Sequence, residues 1–415
     1  MAKNRSDAES QIAELLHTAR KSLRLSVAFL SRLDGTTQHL EVVDTSVPFL
    51  FQEGYQQQQD VTLCQAILDK KLPPVIPDLT VFPEAMKLPA AKMPRLRSYV
   101  SVPVTLSDGS LYGTFCAAGV TTDRDLTTRD RALMDVLASA AAVIIEPEVR
   151  AQERRTEISN RLDPVIAAGG PTVVLQPIVD LATGARIGAE ALSRFPAAWG
   201  LAPDVCFAEA HSIGVGHRLE LLALEGAAAH LADVEGYVSM NVSPATLLTA
   251  EFAEVLGAMP LDRVLLELSE HDQVEDYAAF NATLAPFRAA GLRLAIDDVG
   301  AGFSSLRHIV VTSPDVIKID RSIVSGLHRD PVLAKLVGSL AEFAHGCDVQ
   351  VVAEGVETAD EDVALRGLGV DYGQGWLYGR PGPAEALARI APSSGQPALP
   401  AVPRPRSAAS GALTS

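Results

Sequence analysis

The stretch VVLQPIVDLATGARIGAEAL, residues 173–192, holds two strand-like runs, VVLQPI and IGAEAL, with only VDLATGAR between them. Eight residues are too few for the crossover that parallel pairing requires, so the two runs predict an antiparallel hairpin. Downstream, the runs YVSMNV (237–242), VLLELS (264–269), LRLAID (292–297), VIKID (316–320), VQVVAE (349–354) and VDYGQG (370–375) are separated by segments long enough for crossover helices. Eight such units predict an α/β fold, a TIM-type (β/α)8 barrel in which one strand runs antiparallel to the rest.

In a barrel, side chains at the C-terminal ends of the strands converge on one mouth. Glu190, Asn241, Glu267, Asp297, Asp298 and Glu354 all fall late in their runs, with Lys318 inside VIKID and Gln374 inside VDYGQG. A core has no use for such a ring, and carboxylates crowded together push one another towards neutrality. Hard divalent cations resolve the conflict, because Mg2+ and Mn2+ take carboxylate, carbonyl and water oxygens. No HxxxH or CxxC spacing occurs, which argues against a zinc site of the usual kind. The adjacent Asp297 and Asp298 in LAIDDVGAGFSSL (294–306) suit a pair of ions, one carboxylate bridging and its neighbour holding the second. Two ions about 3.5–4 Å apart fit in-line displacement at phosphorus. GAGFSS then predicts a mobile loop whose Gly300 and Gly302 permit tight backbone geometry. Taken singly, each acid also reads as a solvated strand end or a cap; their recurrence at successive strand ends favours the metal reading.

A chain of 415 residues predicts two domains, and 47% hydrophobic content supplies material for two cores. The formal net charge of −16 argues against binding a nucleic-acid polymer or an anionic membrane through a general basic field. A small anionic substrate stays compatible with it, since bound cations invert the field locally. No run reaches the ~18 apolar residues of a membrane span. The start MAKNRSDAES is no export signal, and Cys64, Cys116, Cys206 and Cys347 are scattered, so the expected compartment is the reducing cytoplasm.

Residues 1–147 read as a separate α+β domain. SQIAELLHTARKSL (10–23) is amphipathic, RLSVAFLSRLDG (24–35) is strand-like, and RSYVSVPVTLSDGSLYGTFCAAG (97–119) predicts a hairpin around Asp108-Gly109. LTTRDRALMDVLASAAAVII (126–145) predicts a closing helix capped by Thr127 or Thr128. A charged connecting helix follows over 148–170, with Pro147 at its start or a kink; a solvated spacer and a rigid coupling helix are both open. The barrel domain then spans 171–390. The Pro-, Ala- and Ser-rich tail, 391–415, predicts disorder.

The motifs GAEALSR, MNVSP, LELSE, IDDVGAGFSSL, VIKID, AEGVE and GQGWLYGRP, in this order, resemble the EAL-domain family of cyclic-di-GMP phosphodiesterases, whose name is spelt by Glu190-Ala191-Leu192. The resemblance implies that Glu190, Asn241, Glu267 and Asp297 bind one metal ion, and that bridging Asp297, with Asp298 and Glu354, serves the second. It implies that Lys318 partners the nucleophilic water and that Glu270 steadies the loop after the paired aspartates. Gln176, Leu192, Arg194 and Gln374 match substrate-contacting positions, with structural hydrogen bonding as the alternative for the polar three. Glu357 is left structural. Val299, Ala301, Phe303 and Trp376 depart from the commoner loop residues without removing a metal ligand.

The implied activity is hydrolysis of cyclic di-GMP to linear pGpG with two Mg2+ or Mn2+ ions; the alternative is a non-catalytic cyclic-di-GMP receptor. No GGDEF-like cyclase segment occurs. The resemblance also implies a homodimer. The first domain resembles a GAF sensor module, through TLCQAILDKKLPPVIPDLT (62–80), the hairpin and the closing helix, with a PAS module as the competing resemblance. Its signal, small molecule or other, is unknown. Cys64 and Cys116 invite a redox or chromophore role, against which stands the reading as buried structural cysteines, and Gln65 after Cys64 removes the Cys-His pair of bilin-binding relatives.

Overall fold

The computed structural model describes residues 6–47, 51–92, 96–271, 274–300 and 310–389. The chain divides into two compact units, Met1–Arg155 and Thr156–Ser415.

The first unit is built on six strands: β1 (Val27–Leu33), β2 (Thr37–Thr45), β3 (Gln56–Gln58), β4 (Val75–Ile76), β5 (Ser98–Thr105) and β6 (Leu111–Gly119). They form one antiparallel sheet in the order β3-β2-β1-β6-β5-β4. The expected β5–β6 hairpin turns at Asp108-Gly109, where Gly109 has a φ of +84° that glycine adopts without strain. Asp108 fixes the turn by accepting from the Ser110 amide at 2.8 Å. Helix Asp7–Ser22 starts with a capping box between Ser6 and Glu9. Its Ile12, Leu16 and Ala19, spaced at helical period, join Ala28, Val102 and Phe115 in the core on one sheet face. Phe29, Leu40, Leu63, Ile76, Leu79 and Tyr99 form the core of the other face.

Helix Thr128–Ala167 unites what the sequence presents as a closing helix and a connecting helix: 40 residues run through Pro147 as one element. Met134, Leu137, Ala138, Ala141 and Ile145 belong to the first core. Residues 151–157 are exposed. Ile158, Leu162 and Ile166 then pack with Ala210 and Leu219 in the second unit. The spacer reading therefore holds only for the middle of the helix, since its last turns carry an apolar stripe at i, i+4, i+8.

All eight strand runs of the second half are strands: β7 (Thr172–Asp180), β8 (Arg186–Arg194), β9 (Tyr237–Asn241), β10 (Val264–Ser269), β11 (Arg293–Val299), β12 (Val316–Ile319), β13 (Gln350–Ala353) and β14 (Tyr372–Gln374). They close into a barrel in that cyclic order. β7 is antiparallel to both its neighbours, β8 and β14, and the remaining pairings are parallel. The short VDLATGAR connection thus produces the single reversed strand.

Strand alternation sorts the barrel residues. Leu266, Leu268, Leu294, Ile296, Ile317, Ile319 and Val351 face the surrounding helices in the large outer core. Ile178, Tyr237, Leu265, Ala295, Val316, Val352 and Tyr372 form a separate apolar layer that plugs the lumen. Two residues nearer the mouth, on the same face by the period of two, stand Ser239, Glu267, Asp297, Lys318, Glu354 and Gln374, with Gln176 on the reversed strand two residues before Ile178. The expected mobile loop beyond Gly300 and the tail 391–415 lie outside the described residues.

Candidate metal centre

The layer above that plug is a cluster of acids around one ammonium. Lys318 Nζ lies 2.6 Å from Glu354, 3.0 Å from Glu267, 3.2 Å from Asp297 and 3.5 Å from Glu190. The lysine is 1% exposed and Glu267 likewise. Burial alone would pull the lysine down, but Asp297, Glu190, Glu267 and Glu354 hold it well above its ordinary value, so it stays charged. Burial, then the surrounding carboxylates acting against the pull of Lys318, push Glu267 well up. The same causes take Glu354 up to about 8. Asp297 also rises, from burial first. Glu190 goes the other way: burial raises it, but Lys318 and the amides of Gln374 and Asn241 outweigh burial.

Two amides orient Glu190. Asn241 Nδ2 donates to its Oε1 at 3.1 Å, and Gln374 Nε2 to its Oε2 at 2.6 Å. Gln374 also reaches Gln176 Oε1 at 3.1 Å, tying β14 to the reversed strand. Gln374, and Gln176 through it, therefore support Glu190.

Asp297 and Asp298 should point to opposite sides of a regular strand. They do not, because the register of β11 against β12 shifts between Ile296 and Val299, and Asp298 takes a left-handed φ of +60°. That conformation costs an L-residue about 1–2 kcal/mol. The break re-aims Asp298, so that Asp297, Asp298 and Glu354 offer carboxylate oxygens within 4.8 Å of one another. Glu190, Glu267 and Asp297 form a second such group, sharing Asp297. Burial, then Asp297 and Asp320, raise Asp298 to about 6.

The donor set fits a pair of hard cations. Every group offers oxygen, and the raised acids mark a site short of positive charge. Among the described residues, five carboxylates against one ammonium leave four negative charges when all are ionised, which two divalent ions would balance. Buried Glu267 Oε1 has no hydrogen-bond partner among the described residues, a vacancy in bonding that a cation satisfies.

The remaining expected residues also gather here. Glu270, just past β10, accepts from the Gly300 amide at 3.3 Å and donates its own amide to the Asp297 carbonyl at 3.0 Å. It thus anchors the point where the acidic strand leaves the barrel. Leu192 and Arg194 line a cavity of about 330 Å3 with Asn241, Glu267, Glu220 and Phe207. The Arg194 guanidinium donates to the Ser193 carbonyl at 2.9 Å. Glu357 pairs with Arg321 at 2.7 Å.

Sequence reading missed Glu220. Its carboxylate accepts from the Ser243 amide and hydroxyl, both at 2.9 Å, and meets His211 Nε2 at 2.5 Å. It thereby pins the turn that follows Asn241. Within GHRLELLALEGAA, Glu220 is one polar residue of a helix, and nothing local distinguishes it.

The family model described as "EAL domain" matches residues 159–381, and that described as "GAF domain" matches residues 7–145. A relative named probable cyclic di-GMP phosphodiesterase PdeB, from Escherichia coli strain K12, is 32% identical over 245 residues, 56% of this chain and 46% of its own length. The chain thus spans less than half of that curated relative. The solved PaMucR phosphodiesterase, a c-di-GMP complex, is 26% identical with a TM-score of 0.50 over 56% of this chain and 99% of its own. The EAL enzyme Bd1971, bound to cAMP and cyclic-di-GMP, has a TM-score of 0.52 over 88% of this chain and 92% of its own at 20% identity, a likeness of fold.

Proposed function

The chain belongs to the EAL domain family, and from that premise we propose that it is a divalent-metal-dependent phosphodiesterase that hydrolyses cyclic di-GMP to linear pGpG, with its GAF domain as the input module. One observation carries the reading: acids from β8, β10, β11 and the end of β13 meet around Lys318 as two oxygen-donor groups that share Asp297. Their substrate is taken from the PaMucR complex and the PdeB name.

Glu190, Asn241, Glu267 and Asp297 would hold one ion, and Asp297, Asp298 and Glu354 the other, with Mg2+ or Mn2+ the natural choices for oxygen ligands. Such a pair, when bound, supplies an activated water and offsets the charge that develops on the phosphate. The chain's own groups do the rest. Lys318, locked in its charged form, holds its protons towards the acids and orients an oxygen placed among them. Gln374 and Asn241 keep Glu190 in one orientation. Glu270 fixes the Gly300 amide and with it the exit of the acidic strand. The apolar plug closes the lumen below, so that a diester can approach only from the rim. Arg194 and Leu192, in the wall of the cavity beside the acids, would contact the substrate's phosphates or bases.

The full chain with Mn2+ or Mg2+ should convert cyclic di-GMP to pGpG, read by chromatography, and Glu190→Gln should lower turnover by about 100-fold or more. Binding of the nucleotide without turnover under both metals would instead assign a receptor. Faster cleavage of a different cyclic nucleotide in the same panel would reassign the substrate. Comparing the full chain with residues 156–415 gives the sign of the GAF contribution.

A further inference from the structure

The first unit contains a second reactive arrangement, remote in chemistry from the acids. Cys64, in helix Leu63–Leu68, and Cys116, on central strand β6, are free thiols 1% and 0% exposed, with their sulfurs 3.3 Å apart. Both belong to the apolar core of one sheet face, yet their sulfurs are not surrounded by carbon alone. These sit in a polar network built into an otherwise apolar sheet face. Gln38 Nε2 donates to Cys64 Sγ and to Ser31 Oγ, each at 3.0 Å, and the Tyr99 hydroxyl is 3.0 Å from Cys64 Sγ. Ser101 Oγ and Thr114 Oγ1 each lie 3.2 Å from Cys116 Sγ, and Thr114 is 2.8 Å from Ser31. Gln38 Oε1 in turn accepts at 2.7 Å from Gln57, a half-buried residue of edge strand β3, which carries the network to the margin of the sheet.

Burying so many polar atoms is costly unless they are used, and here they converge on sulfur. Donors aimed at Cys64 favour its thiolate, the nucleophilic form. Burial opposes that form, but Cys116, Thr114, Tyr99 and Gln38 outweigh it and bring Cys64 below the ordinary thiol range. Burial and the neighbouring Cys64 push Cys116 up, so that it keeps its proton.

We propose that Cys64 and Cys116 form a peroxide-oxidisable dithiol that closes to a disulfide, tying helix Leu63–Leu68 to strand β6. Cys64 thiolate attacks one oxygen of hydrogen peroxide; the O–O bond breaks, the second oxygen leaves as water after taking a proton, and Cys64 becomes a sulfenic acid. Cys116 sulfur then attacks Cys64 sulfur; the S–O bond breaks, and hydroxide leaves as water with the proton Cys116 gives up. Two thiols and one hydrogen peroxide become one disulfide and two waters, the two electrons passing from sulfur to oxygen. The sulfurs must close from 3.3 Å to about 2 Å.

The test uses the full chain carrying Cys347→Ser, which removes the exposed thiol. After hydrogen peroxide, denaturation and alkylation, two of the three remaining thiols should be lost, dithiothreitol should restore them, and peptide mapping should find Cys64 joined to Cys116. Adding Cys116→Ser should leave Cys64 as a sulfenic acid that dimedone traps. Three alkylatable thiols after peroxide, a linkage through Cys206, or a bond between two chains overturns the proposal. Should the double variant not fold, the peptide map of the single variant decides alone.

Discussion

At the scale of single residues, the acid cluster depends on two departures from rule: a lysine buried to 1% and an aspartate in the left-handed region. Lys318 is the cation that makes Glu190, Glu267, Asp297 and Glu354 tolerable together. Replacing it by Met leaves buried charge without a partner, a loss of about 3–5 kcal/mol in the metal-free chain. Urea unfolding in chelator should show that loss, and saturating Mn2+ should restore much of it; an equal loss in both would contradict the two-ion balance of charge. Asp298→Asn retains a side chain that tolerates the left-handed backbone but weakens the second group of donors. In chelator above pH ~6 it should raise the urea midpoint, because it removes a charge that burial disfavours, and with metal present it should cut turnover by about 100-fold. Unchanged turnover would remove Asp298 from the site. The residue types were legible in the sequence because strand endings can be counted. The turn of Asp298 towards its neighbour was not, since it requires the shifted pairing of β11 against β12.

At the scale of elements, the eight barrel strands were readable because a buried strand leaves an apolar run and a hairpin leaves a short connection. Helix Thr128–Ala167 resembles two pieces in the sequence, because Pro147 and the charged run after it fit a helix start as well as a kink. Tertiary packing decides otherwise: Met134 to Ile145 belong to one core, and Ile158, Leu162 and Ile166 to another. Leu162→Ala removes a residue that is 1% exposed from that second stripe and should cost about 2–5 kcal/mol. Two-probe unfolding should register the loss in the barrel unit and leave the sheet unit near its parent midpoint. Glu220 was invisible for the complementary reason, since a polar residue on a helix gains meaning only when Ser243 and His211 fold against it.

For the molecule as a whole, the site links stability to protons and metal. In the metal-free chain, burial and neighbouring charge raise Glu354 to about 8 and Asp298 to about 6, above the ~4 of an unfolded carboxyl. The folded state therefore binds protons more tightly than the unfolded one. The stability these two groups contribute is complete below pH ~4, and it is lost as the pH rises through about 6 for Asp298 and about 8 for Glu354. With chelator present, thermal stability should fall between pH ~4 and ~8, and saturating Mn2+ should flatten the fall. Mn2+ binding near neutral pH should also release protons, measurable by calorimetry in buffers of different ionisation enthalpy. Identical pH profiles with and without Mn2+ would contradict the assignment.

The reversal of β7 has a consequence for how the chain arrives. An all-parallel barrel takes delivery of its polypeptide at the floor, the far side from its reacting groups. Here Thr172 pairs with Arg194, and Gln176 with Glu190, so the incoming backbone enters at the ceiling and descends past the acids first. A tug on the chain just ahead of Thr172 has only four residues to travel before it reaches the glutamine that, through Gln374, steadies Glu190.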